Sequence, residues 1–499
     1  MKKRIKNMRK IISVLSIIAF LITLSCIVEN KKDAGKNDSK TGIKIYAENP
    51  FYWEYDGEPK LLIGGSVEDN VFQIPNVEEH LDLLVSVGGN YLRCTMSSRD
   101  KGNEKPYSKT NGLYNLDQPN PAYWKKFADF LKLTHERDII IQVELWATYD
   151  FYQSPAGWAE NVFNPQNNTN YTAEESNLPE VTEHTAQFKI NPFFETVPEL
   201  NNNELVLKFQ QSFIDTVLSH TLNYDHVLYC IDNETNAKPE WGAYWARYIR
   251  DKADDAGKTI YITEMWDNWD PTNGNVEGVR HQEDATHPFL GRSKVANTIN
   301  SPELYDFVDI SNNNAQNGEV HYRSALYVRN LIERTENIRP INNVKIYGGT
   351  IYEPWTRDWA GSYKDGEERF WRNVFAGHAS VRFHRPPYGH GLSPVAQQHI
   401  KSMRMLTDSL DIFNHVPATD SLSKREPNEA FCLAIPGSEY AVYFPAHGHV
   451  ELSAEPGTYE MRWLHIRSST WRNAENVKNP SVLETPDNDQ WVVMLRKKE

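Results

Sequence analysis

His226-Val227-Leu228-Tyr229-Cys230-Ile231-Asp232-Asn233-Glu234 decides how the rest of the chain is read. Val227 to Ile231 are the apolar, aromatic and thiol types that fill a strand covered on both faces, and they run straight into Asp232-Asn233-Glu234. In a barrel of parallel strands, the residues just past each strand's C-terminal end form the floor of the active site. Asn-Glu also occurs at Asn103-Glu104, Asn203-Glu204 and Asn428-Glu429. Only the pair at 233-234 follows an apolar strand, so position carries the signal.

Working outward, strand and helix patterns alternate. Lys60–Gly64, Asn90–Cys94 and Ile139–Glu144 read as the first three strands, and His226 opens the fourth. Lys258–Thr263, Tyr305–Ile310, Val344–Tyr347 and Val381–His384 follow. Helical periodicity separates them, as in Val77–Val87 with Leu81, Leu84 and Val85 on one face, and in Pro121–Arg137 with Trp124, Phe127, Phe130 and Leu131 as its stripe. Eight such alternations predict a (β/α)8 barrel, an α/β fold, over residues 43–413. Phe51 to Pro59 alternates aromatic and polar residues and turns at Asp56-Gly57, which predicts a hairpin capping the bottom of the barrel. The long Asn-, Pro- and aromatic-rich stretch from Leu145 to Asn203 leaves the end of the third strand and is read as a wall of the cleft.

From about Val416 the texture changes to short alternating runs punctuated by Pro436-Gly437 and Pro456-Gly457. Residues 414–499 are therefore expected to form a small antiparallel β-sandwich. Shielding the barrel and binding glycan are both open roles for it.

At the other end, six cations in the first ten residues precede an apolar run from Ile11 to Leu24 and then Ser25-Cys26. That is the form of an export signal, residues 1–25. Leu24-Ser25-Cys26 resembles a bacterial lipobox, although Thr23 stands where an aliphatic residue is usual. Lipidation of Cys26 would anchor the protein to a membrane, with residues 26–42 as a flexible tether. Ordinary secretion and an uncleaved anchor are the alternatives. If Cys26 is lipidated, Cys94, Cys230 and Cys432 remain, an odd number that gives no disulfide framework.

A net charge of -14 disfavours nucleic acid as a partner. The 14 Trp, 25 Tyr and 20 Phe often stand beside Asn, Asp and Gly. Flat rings next to amides and carboxylates suit sugar rings, whose C–H faces stack and whose hydroxyls hydrogen-bond. Arg93, Arg99 and Lys101 leave an anionic glycan open. No zinc-spaced Cys/His cluster, phosphate loop or dinucleotide fingerprint occurs, so neither metal nor cofactor is expected.

Arg at the end of the second strand, Asn-Glu after the fourth and Glu after the seventh resemble the clan of retaining glycosidases called the four/seven superfamily, clan A. The matching positions are Arg93, Asn233, Glu234 and Glu353. The hairpin, the Trp371–Ala379 helix and the appended β-domain are similar to a bacterial lipoprotein group named for a collagen-binding domain. The resemblance implies a glycosidase with Glu234 as acid/base and Asn233 on the hydroxyl next to the reacting carbon. Two carboxyls are needed, one protonated to donate to the leaving oxygen and one ionised to attack or to activate water. Glu353 is the nucleophile candidate, but relatives carry an acidic residue nearer the strand end, where this chain has Gly348-Gly349. Glu264, at the end of the fifth strand, and Glu144 are rivals. Glu68, Asp69, Glu264 and Asn313 are expected to meet substrate hydroxyls, and Trp146, Trp266, Trp355 and His384 to line the rim. A surface glycan-binding protein on a decayed barrel is the competing expectation, and a matrix adhesin a third.

Overall fold

The computed structural model describes residues 41–152, 157–182, 191–266, 295–311, 316–349 and 360–498. Eight strands follow one another through the first part of this region: β1 (Leu62–Gly65), β2 (Tyr91–Thr95), β3 (Ile140–Trp146), β4 (Val227–Asp232), β5 (Ile262–Thr263), β6 (Val308–Asp309), β7 (Ile341–Asn342) and β8 (Ser380–Phe383). A helix follows each: α1 (Val77–Ser86), α2 (Pro121–His135), α3 (Glu204–Thr221), α4 (Pro239–Asp255), α5 (Val295–Asn300), α6 (Gly318–Arg334), α7 (Tyr363–Phe375) and α8 (Pro394–Thr407).

Six strands form one parallel sheet in the order β5-β4-β3-β2-β1-β8, and β6 pairs in parallel with β7. Individual hydrogen bonds join the two groups. Asp306 N donates to Ile262 O at 2.8 Å on one side, and Ala379 N to Ile341 O at 2.9 Å on the other. The strands thus follow one another in barrel order, although the ladder is not continuous around the ring. β2, β3, β4 and β8 are buried along their whole length. Two-sided burial is why these strands read as apolar runs.

The helices begin where local chemistry starts them. Asn120 accepts from Ala122 N ahead of Pro121 at the first turn of α2. Ser362 and Asp365 close a capping box at the start of α7. Trp124, Phe127, Phe130 and Leu131 of α2 are buried as the periodicity predicted, with Tyr123 beside them, each contributing roughly 1.5–3 kcal/mol.

The hairpin Trp53–Tyr55 and Glu58–Lys60 sits at the N-terminal ends of the strands. There Trp53 packs edge-on against Tyr261 and Phe307, and its Nε1 donates to Asn342 Oδ1 at 3.0 Å. The seventh strand starts earlier than expected, at Ile341 instead of Val344, with a further parallel bridge between Ile346 and Phe383.

Residues from Val416 onward form two antiparallel sheets of seven and three strands. Cys432, Val442, Phe444, Val493 and Leu495 of the larger sheet pack with Val450, Leu452 and Leu483 of the smaller one. The opposite face of the larger sheet, including Phe431 and Tyr443, covers the barrel helices. Tyr443 stacks on Trp371 at 5.3 Å between ring centroids, and Phe431 meets Tyr322 at 4.5 Å. No helix among the described residues is long and apolar enough to cross a membrane. The leader, the Cys26 site and most of the tether lie outside the described residues.

Candidate active site

The polar centre of the barrel is built around Arg93, whose inward position on β2 follows from strand alternation. Its guanidinium, 1% exposed, donates from Nε to Glu144 at 2.7 Å, from one terminal nitrogen to Asp69 Oδ1 at 2.9 Å, and from the other to Asn233 Oδ1 at 2.9 Å. Each acceptor comes from a different strand or strand end. Spending all three donor directions of a planar guanidinium fixes their relative positions. Arg93 therefore organises the floor more than it offers itself to a ligand.

Glu234 lies one residue past this floor with a left-handed φ of 59°, which costs a non-glycine residue energy and is held only by its surroundings. Those surroundings are visible. Asn233 N donates to Trp146 O and Thr235 N to Met265 O, each at 2.9 Å, so the chain is pinned on both sides of Glu234. The carboxylate then forms an ion pair with Lys345, while Tyr347 OH donates to it at 3.5 Å. Lys345 Nζ also donates to Asn233 Oδ1 at 3.0 Å. Two cations thus take the Asn233 oxygen.

Burial would raise the Glu234 carboxyl, but the Lys345 ammonium, aided by Arg93, outweighs it and holds the group below the usual carboxylate range. That direction favours the ionised form, whereas a general acid must carry its proton.

Asp69 is buried and faces Arg99 and Arg385, each at 3.2 Å, and His384 at 3.6 Å, besides Arg93. Burial works against its charge, but Arg93 and the other two arginines hold it well below the usual range. Glu68 pairs with Arg385 at 2.6 Å and keeps a side chain 35% exposed, within reach of a ligand. His384 is buried against Tyr347 with ring centroids 4.3 Å apart, and burial, outweighing Asp69, keeps it neutral.

Other expected residues lie elsewhere. Glu264 is fully buried, and its Oε1 accepts from Asp232 N at 2.9 Å and Met265 N at 3.1 Å. A Cβ added at Gly242 of α4 would meet its Oε2 at 2.5 Å. The side chain therefore points at the helix layer, away from Glu234. Burial, and then the neighbouring Asp232 charge, push its pKa well up. Trp146 belongs to a packed aromatic group with Phe163, Phe193, Phe213, Trp241 and Trp245, so it is core and not rim. Trp266 is likewise buried and donates to Thr298 Oγ1 at 2.9 Å. Glu144 is sealed beneath Arg93. Glu353, Trp355 and Asn313 lie outside the described residues.

Gly348-Gly349 has a steric cause. Gly348 has φ 131°, and a Cβ there would meet Gly366 N at 2.5 Å; at Gly349 it would meet Pro387 O at 2.2 Å. Side chains do not fit at either position. Lys345 and Tyr347 were passed over in the sequence, although a lysine between the buried Val344 and Ile346 was a signal of an inward-facing charge.

No known sequence family matches the chain, and no curated protein resembles it significantly in sequence. Solved structures do share its fold. A glycoside hydrolase family 5 protein from Bacteroides vulgatus superposes with a TM-score of 0.61 over 92% of this chain and 93% of its own, at 12% identity. A second structure, described as a glycoside hydrolase, gives 0.58 over 92% and 97%, at 11% identity. A share of 92% is more than residues 1–413 could supply, so the match extends into the C-terminal β-region. The chain has the fold of these (β/α)8 proteins.

Proposed function

We propose that the protein is a glycoside hydrolase acting on an oligosaccharide or polysaccharide, with its reaction centre at Asn233, Glu234, Lys345 and Tyr347. The observation that carries this reading is the pinned, left-handed Glu234 at the end of β4, set beside an Asn233 amide whose oxygen is held by Arg93 and Lys345. The fold shared with glycoside hydrolases supports it. Asn233 would bind the hydroxyl next to the reacting carbon, and Glu353 is the partner carboxylate of a retaining mechanism. A sugar hydroxyl taking the place of Lys345 on Glu234 would remove the charge that keeps it ionised. Burial would then raise the carboxyl toward a donor's range. An exported, lipid-anchored location through Cys26 and kinship with the group named for a collagen-binding domain belong to the same proposal, resting on sequence.

A second reading, a glycan-binding protein without turnover, is favoured by the Lys345 ammonium on Glu234 and by the closed positions at Gly348 and Gly349. Incubation with a glycan panel and aryl glycosides separates the two. Hydrolysis that falls at least about 1,000-fold in Glu234→Gln and in Glu353→Gln supports the first. NMR of the first-formed anomer then tests retention. Equal sugar release by Glu234→Gln removes the acid/base assignment, and tight binding without turnover, indifferent to Glu353→Gln, establishes the second.

A further inference from the structure

At the opposite end of the barrel, His135, Asp225 and His226 come together from the last turn of α2 and the residues just before β4. One ring nitrogen of each histidine and a carboxylate oxygen of Asp225 all lie within 4.8 Å of one another. We propose that these three side chains bind a divalent cation of the zinc type, with water completing the coordination.

The first argument is the tautomer of His226. Thr134 Oγ1 carries one hydrogen and lies 2.9 Å from Phe130 O, 3.1 Å from Leu131 O and 2.9 Å from His226 Nε2. When that hydrogen goes to a helix carbonyl, the hydroxyl meets Nε2 with a lone pair, Nε2 carries the proton and the imidazole lone pair is on Nδ1, the tautomer that the proposal requires. Metal-binding histidines are oriented in this way, with the second nitrogen donating to a fixed acceptor.

The second argument is spacing. Zinc bonds of 2.0–2.1 Å in a tetrahedron put ligand atoms roughly 3.4 Å apart. His135 Nε2 and Asp225 Oδ1 are already 3.6 Å apart. Their side chains are 34% and 41% exposed, so they can close on an ion by about 1 Å of movement and an ion can reach them. His226, by contrast, is fully buried, and its carbonyl accepts from Ile141 N at 3.0 Å, which fixes its backbone in the sheet.

The backbone of Asp225 is held as well. Ile43 N donates to Asp225 O at 2.7 Å, and Gly42 lies so close that an added Cβ would meet Asp225 Cβ at 2.7 Å. Tyr224 packs on both imidazoles, with centroids 5.4 Å away in each case. Asp138 and Asp56 join Asp225 in acting on the nearby Tyr55 hydroxyl, so this end of the barrel carries the sign of charge that attracts a cation. Two imidazoles and one carboxylate suit Zn2+ better than the oxygen-seeking Ca2+ or Mg2+. The ion would tie the end of α2 to the start of β4.

Tag-free full-length protein, stripped with a chelator, is titrated with Zn2+ by calorimetry, and with Co2+ for its ligand-field absorption. One ion per chain is expected, with a raised Tm. His135→Ala and Asp225→Asn, at half-exposed positions, should keep the metal-free Tm and weaken binding at least thirtyfold. Thr134→Val should weaken it about tenfold by releasing the orienting contact. Absence of one-to-one binding overturns the proposal. So does an affinity unchanged in both His135→Ala and Asp225→Asn, which would place the ion elsewhere.

Discussion

Replacing Lys345 with Met should change the proton affinity of Glu234 more than it changes the packing around it. The side chain is 1% exposed, and Met fills a similar volume without the ammonium that pairs with the carboxylate. Two unit charges about 4 Å apart interact by about 4 kcal/mol at the effective dielectric of a protein surface. The Glu234 side chain is 32% exposed, and screening reduces that figure to about 2 kcal/mol. The proton affinity of Glu234 should therefore rise about thirtyfold. In the wild type its folded pKa is depressed, so its contribution to stability is present above the unfolded carboxyl range and is lost as pH falls through the folded pKa. In the variant, burial acts without Lys345, so the charge of Glu234 becomes a cost that grows as pH rises. The stability gap between the two proteins should be about 2 kcal/mol wider at pH 7 than at pH 3.5. Urea unfolding across that range measures the gap, and 13C NMR of Glu-labelled protein, assigned with Glu234→Gln, follows the titration directly. A gap that is flat with pH, together with an unmoved Glu234 resonance, refutes the role given to Lys345.

Asp69→Asn should destabilise the fold by about 3–5 kcal/mol, because three guanidinium groups lose their buried counter-charge. Urea unfolding at pH 7 checks this, and the loss should shrink in acid, where the wild-type carboxylate is itself neutralised. Glu264→Gln should leave turnover unchanged, since that side chain faces α4. Its wild-type pKa is raised, so the wild type should lose stability relative to the variant as pH climbs from 5 to 8, in thermal melts at each pH. Gly349→Ala should cost about 3 kcal/mol through its clash with Pro387 O, seen as a lower urea midpoint.

Strands buried on both faces were legible because apolar residues dominate them even where Arg93, Gln142 and Glu144 take the polar side. β4 was legible together with its outcome, since charge after such a run has few places to go except the mouth. Lys345 was obscure for the same reason, because a lone lysine in an apolar run also suits a short exposed edge. Glu264 misled because β5 is only two residues long. Position at the end of a strand does not say which face a side chain takes, and here it takes the helix side. Trp146 and Trp266 looked like rim residues because each stands at or just past the end of a strand. Phe163 and Phe193, from the long segment after β3, cover Trp146 in space. The metal cluster escaped because its ligands are 90 residues apart, and spacing rules detect only ligands that are close in the chain.

On the proposed function, the charges around the mouth bear on which sugars it could hold. Arg93 and Arg99 left an anionic glycan open while their partners were unknown. Arg93 is now committed to Asp69, Glu144 and Asn233, and Arg99 to Asp69 and Asp150 at 3.2 and 3.0 Å. Arg385 is shared between Glu68 and Asp69. A carboxylated or sulfated sugar would have to displace one of these carboxylates, at the cost of stranding a charge that is buried or nearly so. A neutral sugar needs no exchange. It can take the Asn233 amide and replace Lys345 on Glu234 through its hydroxyls, leaving the arginine lattice intact. The same lattice explains how a chain of net charge -14 holds four cations there, since Arg93, Arg99, Arg385 and Lys345 each face an acid.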